Sequence, residues 1–188
     1  MPNADTRERL LDEAQTLVQA RGFNAFSFKD LARSVGIRTP SVHYHFETKG
    51  DLGEALMERY LRELEAELAG LASRRSARAR LRALIEMYRA TEQSGMACLC
   101  GSFASDIETL PDALRPSVAR YLDRTEDWIA EQIVAGQESG EFSTRPGARD
   151  LAALLVSALQ GALFLGRARS GASMLTRVER AFWKLLED

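Results

Sequence analysis

Cysteine is scarce in this chain: two in 188 residues, Cys98 and Cys100, one residue apart. They are too few and too close for a disulfide framework, so a reducing compartment is expected. Histidine is equally scarce, with only His43 and His45. At i and i+2 of a helix their side chains point about 200° apart and cannot close on one ion, so no metal site is expected. No Ser/His/Asp arrangement, phosphate-cradling glycine loop or metal cluster is visible, which argues against an enzyme, with no catalytic residues and no cofactor. Long apolar runs are missing too. The longest, Leu151 to Gly166, is interrupted by Ser157 and Gln160 and falls short of the roughly 18–20 residues of a membrane span. The opening MPNADTRERL has no apolar core of the signal-peptide kind. These absences predict a cytoplasmic protein with no membrane partner. Strand-like alternation persists nowhere and no internal repeat occurs, so the expected fold class is all-α.

Neither charge dominates. The chain has 25 Lys/Arg against 27 Asp/Glu, a net charge of −2. Residues 1–50 hold seven Lys/Arg against six Asp/Glu, a net +1, which leaves −3 for the remainder. A slightly basic head on an acidic body suits binding at one end only, although +1 is no patch by itself. With 45% apolar and 28% charged residues, the composition is that of an ordinary soluble globular protein.

What is present is a concentrated signal from Ser27 to Lys49, SFKDLARSVGIRTPSVHYHFETK. Ser27 and Asp30 resemble a helix cap, a hydroxyl on a free N–H and an acid in the first turn. Phe28, Leu31, Ala32 and Val35 recur at helical spacing, and Gly36 stands where a helix end wants positive φ. Thr39 is the expected cap of a second short helix, and Pro40 fits its first turn. This helix, Pro40 to His45 or Phe46, anchors through Val42 and Phe46 and leaves Ser41, His43, Tyr44 and His45 on other faces. The pattern is a helix-turn-helix, whose second helix is the sort that enters a DNA major groove.

Before it, Thr6 to Arg21 reads as a helix with Leu10, Ala14, Leu17 and Val18 on one face. After it, a longer helix from Thr48 or Lys49 to about Leu71 carries Leu52, Leu56, Tyr60, Leu64 and Leu68. Ser73 to Arg82 holds five arginines, read as a solvated connector and helix start in preference to a second phosphate patch. Further helices are expected to Gln93, over Ser117–Glu138, over Arg149–Arg167 and over Met174–Leu186, about nine in all. Between Ser94 and Pro116 the chain is irregular or holds short helical pieces. Arg149 to Arg167 is apolar on nearly every face, so the last two helices are expected to pair with a second copy across a two-fold axis. A dimer also places two reading helices on successive major grooves, about 34–36 Å apart.

The motif Leu31-Ala32-Arg33-Ser34-Val35-Gly36-Ile37, then Thr39-Pro40-Ser41-Val42-His43-Tyr44-His45-Phe46, then Thr48-Lys49 resembles the tetracycline-repressor (TetR/AcrR) family of bacterial transcription regulators. The resemblance covers roughly residues 6–56. It implies a helix-turn-helix head over 1–48 and an effector-binding, dimerising body over 49–188. In this family the positions of Thr39, Pro40, Ser41, His43, Tyr44 and His45 face DNA and that of Lys49 holds a phosphate. Ser27, Arg38 and Thr48 complete the expected DNA-binding set. The first ring position is usually tyrosine and is His43 here, which removes a phenol's reach and puts base preference there in doubt. The implied partners are double-stranded operator DNA, a second copy and an unknown small-molecule effector.

Cys98-Leu99, followed by Asp106 to Leu114 and a long helix, resembles the electrophile-responsive subgroup that includes the N-ethylmaleimide reductase repressor. That resemblance implies a sensing thiol at Cys98. Read from the residues alone, both cysteines fit equally well as small core fillers. The expected effector pocket draws on Met87, Tyr88, Phe103, Tyr121, Trp128 and Phe164 beside Cys98, each of which also fits a plain core position. The alternative function is an all-helical adaptor using the helix-turn-helix for protein contact.

Overall fold

Helical spacing of apolar side chains decides each element of the chain, and caps and glycines decide where most of them stop. The computed structural model describes residues 2–145, 147–169 and 173–187. In order these form α1 (Pro2–Arg21), α2 (Phe28–Val35), α3 (Thr39–His45), α4 (Lys49–Leu71), α5 (Ala77–Gln93), α6 (Leu99–Ser105), α7 (Leu114–Glu138), α8 (Ala148–Arg167) and α9 (Met174–Glu187). Short 3-10 turns occupy Phe23–Ala25 and Ile107–Thr109. The described residues thus contain nine α-helices and no strand, the all-α class expected. The turn expected before α8 includes Pro146, which lies outside the described residues.

Three local expectations change, the first at α1, which begins at Pro2, four residues ahead of the expected Thr6. Arg38, with extended backbone and no side-chain bond, is the N-cap of α3, and Thr39 is already helical. α7 starts at Leu114, three residues ahead of the expected Ser117. Its Pro116 sits in the first turn, where a missing N–H leaves nothing unsatisfied, so the proline fits the helix start instead of breaking it.

The chain folds as two compact units, Met1–Glu63 with Leu99–Tyr121, and Leu64–Cys98 with Leu122–Asp188. Helices α4 and α7 each begin in the first and end in the second. In the first unit, α1, α2 and α3 close on Leu10, Ala14, Leu17, Val18, Phe23, Phe26, Leu31, Ala32, Val42 and Phe46, all buried. Burying each of the larger side chains stabilises by about 1.5–3 kcal/mol, so a core this small gains from further cover. Leu52 and Leu56 of α4 and Phe103 of α6 are fully buried in the same unit. The Phe103 ring lies 5.1 Å from that of Phe23. Gly53 lets α7 approach: a Cβ there would meet Leu114 Cδ1 at 2.9 Å.

In the second unit, α5, α8 and α9 pack on one another. Arg89 of α5 pairs with Glu179 of α9 at 2.6 Å, both largely shielded. Helix α8 buries Leu151, Ala152, Leu155, Val156, Leu159, Ala162 and Leu163. By length and composition it could cross a membrane, whereas the sequence reading put it short of a span. Seven of its side chains are buried in this unit, and the others are half-buried or exposed.

Candidate nucleic-acid interface

The turn between α2 and α3 is built by hydrogen bonds that the sequence pattern anticipates. At the start of α2, Ser27 and Asp30 form a reciprocal capping box: Ser27 Oγ accepts from Asp30 N at 3.3 Å, and Ser27 N donates to Asp30 Oδ2 at 3.0 Å. Ser27 Oγ also donates to the same carboxylate at 2.6 Å. The hydroxyl and backbone N–H of Ser27, with a smaller Coulombic pull from Arg33, hold the Asp30 carboxyl below its usual range. At the other end Gly36 adopts φ 76, and the N–H of Ile37 reaches back to Ala32 O at 2.9 Å. This left-handed cap turns the chain sharply into α3. Arg9 of α1 donates to Val35 O at 2.9 Å and ties the turn to the first helix.

Helix α3 is then held by two inward pins, Val42 and Phe46, both buried. Its other side is open: Arg38, Pro40, Ser41, His43 and Tyr44 are exposed, Thr39 and His45 half-buried. Tyr44 is 74% exposed, the largest exposure among the bulky apolar side chains described. Arg38 makes no ion pair or side-chain hydrogen bond among the described residues, so its five donors face outward. His43 behaves differently from a simple outward donor. Its Nδ1 lies 3.2 Å from the carbonyl oxygen of Glu47, and its ring meets Phe28 edge-on at 4.9 Å. A carbonyl can only accept, so Nδ1 carries a hydrogen in this contact. The Nδ1 nitrogen of His43 is thus committed to the fold.

The two remaining hydroxyl and amine candidates are partly committed to the fold. Thr48 and Asp51 form a second capping pair at α4, Thr48 N on Asp51 Oδ2 at 2.8 Å and Asp51 N on Thr48 Oγ1 at 3.1 Å. Lys49 Nζ donates to the carbonyl oxygens of Phe23 and Phe26 and stands over both rings, 4.6 and 4.3 Å from their centroids. Burial pushes its pKa down, opposed by the attraction of Asp106 and Asp30. An ammonium has three donors, so one remains for the phosphate that the motif implies.

Sequence reasoning missed the support beneath this surface. Asp106 Oδ2 accepts the N–H of Phe23 at 3.1 Å, and Asn24 donates to Thr109 at 2.7 Å. These partners lie more than eighty residues apart in the chain, and no local signal marks them. Asp51 was legible, as the acid three residues after Thr48.

The effector candidates divide between the units. Phe103 and Tyr121 belong to the first, where Tyr121 stacks on Tyr60 at 4.7 Å. Cys98, Met87, Tyr88, Trp128 and Phe164 belong to the second. Cys98 is 4% exposed, and Gln160 Nε2 donates to its Sγ at 3.4 Å. Tyr88 and Trp128 are buried, Met87 half-buried. Phe164 departs from the expected interior position: it lies 39% exposed on α8. Cys100 is buried and contacts Val118 O in the first unit, and neither thiol is in a disulfide. Among the described residues no group of His, Cys, Asp and Glu could hold a metal ion.

A helix-turn-helix with an open second helix, carried by an otherwise all-helical chain, defines the class of DNA-reading regulators. The chain belongs to the TetR family: residues 10–56 match the model of bacterial regulatory proteins of the tetR family, and residues 77–182 match the tetracyclin repressor-like C-terminal domain. It is a DNA-binding transcriptional regulator. The HTH-type transcriptional repressor DhaR of Mycobacterium sp. strain GP1 is 22% identical over 165 residues, 87% of this chain and 83% of that protein. A TetR-family transcriptional regulator from Agrobacterium tumefaciens superposes with a TM-score of 0.94 at 28% identity, over 99% of this chain and all of that one. Reduced NemR from E. coli has the same fold, with a TM-score of 0.84 at 19% identity and 97% of both chains covered.

Proposed function

We propose that the chain acts as a homodimeric repressor, released from a pseudo-palindromic operator by a small-molecule or electrophile effector. Residues 1–48 read DNA, and residues 49–188 bind the effector and dimerise. The observation that carries this reading is the open face of α3, where Arg38, Ser41, His43 and Tyr44 project from a helix pinned by Val42. One such helix of seven residues is about 10 Å long and reaches too few base pairs for a selective operator. Dimerisation supplies the second reader. Leu154, Phe164 and Leu165 of α8 and Leu185 of α9 are large, apolar and 37–49% exposed, which supports a four-helix interface between copies.

Release requires an effector that binds the DNA-incompetent state more tightly, since only differential affinity shifts the equilibrium. For an electrophile, Cys98 is the reacting thiol in this reading. At 4% exposure its alkylation needs the surrounding residues to open, which couples the chemistry to a change of shape. The test is one binding assay: duplex DNA from upstream of the protein's own gene, at low and moderate salt, with and without N-ethylmaleimide and candidate small molecules. Selective binding that weakens steeply with salt is expected, because phosphate contacts release counterions. Salt-independent binding, or none to any palindromic segment, would instead favour a protein-contact role for the head. Full electrophile response in Cys98→Ser would remove the thiol from the mechanism.

A further inference from the structure

The arginine run between Ser73 and Arg82 has no role in the proposed DNA reading, and the second unit turns it into one wall of a groove. The groove is open to solvent and offers about 830 Å³ along α5, inside the roughly 300–1,000 Å³ range of small-molecule sites. Leu71, Ala79, Ala83 and Met87 give it an apolar floor, and Arg74 and Arg82 stand exposed at its edge. Its third arginine, Arg78, is committed: it pairs with Glu187 at 3.2 Å and lies over the rings of Phe142 and Trp183 at 5.5 and 5.0 Å. Glu86, the carboxylate in the lining, is engaged by Arg89 at 3.2 Å. Arg74 and Arg82, in contrast, have no carboxylate partner among the described residues, and Arg82 meets only the Trp183 ring at 5.9 Å. The groove therefore joins an apolar floor to two unneutralised guanidinium groups.

We propose that this groove binds a small amphiphile, a single carboxylate on an aliphatic chain, with the head on Arg74 and Arg82 and the chain along the α5 floor. The guanidinium fork matches a carboxylate with paired donors. From Ala79 to Ala90, both in the lining, the helix rises about 16 Å, room for an extended medium-length fatty chain. A phosphate backbone would leave the apolar floor uncovered, and an uncharged lipid would leave the arginines without a partner. This inference stands apart from operator binding, and its ligand titration needs no DNA.

The experiment is calorimetric titration of the full chain with decanoate, with decanol and with inorganic phosphate, repeated on the R74A/R82A double variant. Both side chains are exposed, so the variant is expected to keep its fold, checked by circular dichroism and sedimentation. Decanoate should bind the parent chain at least about tenfold more tightly than decanol or phosphate, and the double variant should lose that preference. Tryptophan fluorescence gives a second readout, because Trp183 lies beneath Arg82. Equal binding of decanol and decanoate, or unchanged decanoate affinity in the double variant, would overturn the proposal. So would a double variant that alters self-association or operator affinity without ligand, which would place a second copy or DNA at the groove.

Discussion

Glu141 shows how a single side chain outside any helix can hold one in place. Its two carboxylate oxygens accept the N–H groups of Ala77 and Arg78 at 3.2 Å each, at the start of α5. Burial pushes this carboxyl up, but the N–H groups of Arg78 and Ala77 and the hydroxyls of Ser76 and Ser139 outweigh it, and the net shift is down. A carboxyl lowered by folding stabilises the native state above its unfolded pKa, and that contribution fades as pH falls through the folded value. Urea unfolding from neutral pH to below the ordinary glutamate range should therefore show a loss that Glu141→Gln largely lacks. An identical acid profile in the variant would mean that the cap contributes nothing. At the same scale, His43 stands where the family usually has tyrosine, and its Nδ1 lies 3.2 Å from Glu47 O.

At the scale of elements, the start of α4 serves the fold and the interface together. Thr48 and Asp51 cap it, and Lys49 fastens the carbonyls of the turn that precedes α2. The sequence motif assigns Lys49 to a phosphate alone, whereas two of its three donors point inward. Lys49→Ala should therefore have two effects. Stability should fall by about 1.5–2 kcal/mol, the lower part of the range for charged hydrogen bonds because the amine is partly exposed. Operator binding should weaken alike for all sequences, with a salt slope smaller by about one. An unchanged slope with lower stability would assign Lys49 to positioning the turn and not to DNA.

At the scale of the whole molecule, the proposed assembly rests on what α8 leaves uncovered. Leu154 and Leu165 are each 49% exposed on a helix whose opposite side is core. Replacing both by glutamate places charges at the proposed two-fold interface while sparing the buried side chains. The double variant should sediment as a monomer and lose operator affinity by at least about tenfold, since one reading helix is lost from each complex. A dimer that persists would move the interface away from α8.

The residues by themselves determined much of this protein. Gly36, the Ser27–Asp30 box and the Val42 and Phe46 pins were legible because caps, turns and helical faces depend on neighbours within a few positions. The family motif followed from the same short stretch. Tertiary structure decided the rest. The Asp106 and Thr109 contacts to the Phe23–Asn24 turn, the Glu141 cap of α5 and the commitment of Lys49 join residues far apart in the chain, where no periodicity connects them. The arginines near Ser73 read as a solvated run in one dimension. In the fold one of them is spent on Trp183 and Glu187, and two stand over an apolar groove. Helix α8 looked apolar on nearly every side. Only packing separates its seven core side chains from the exposed leucines and Phe164, because hydrophobicity alone does not say which neighbour covers which face.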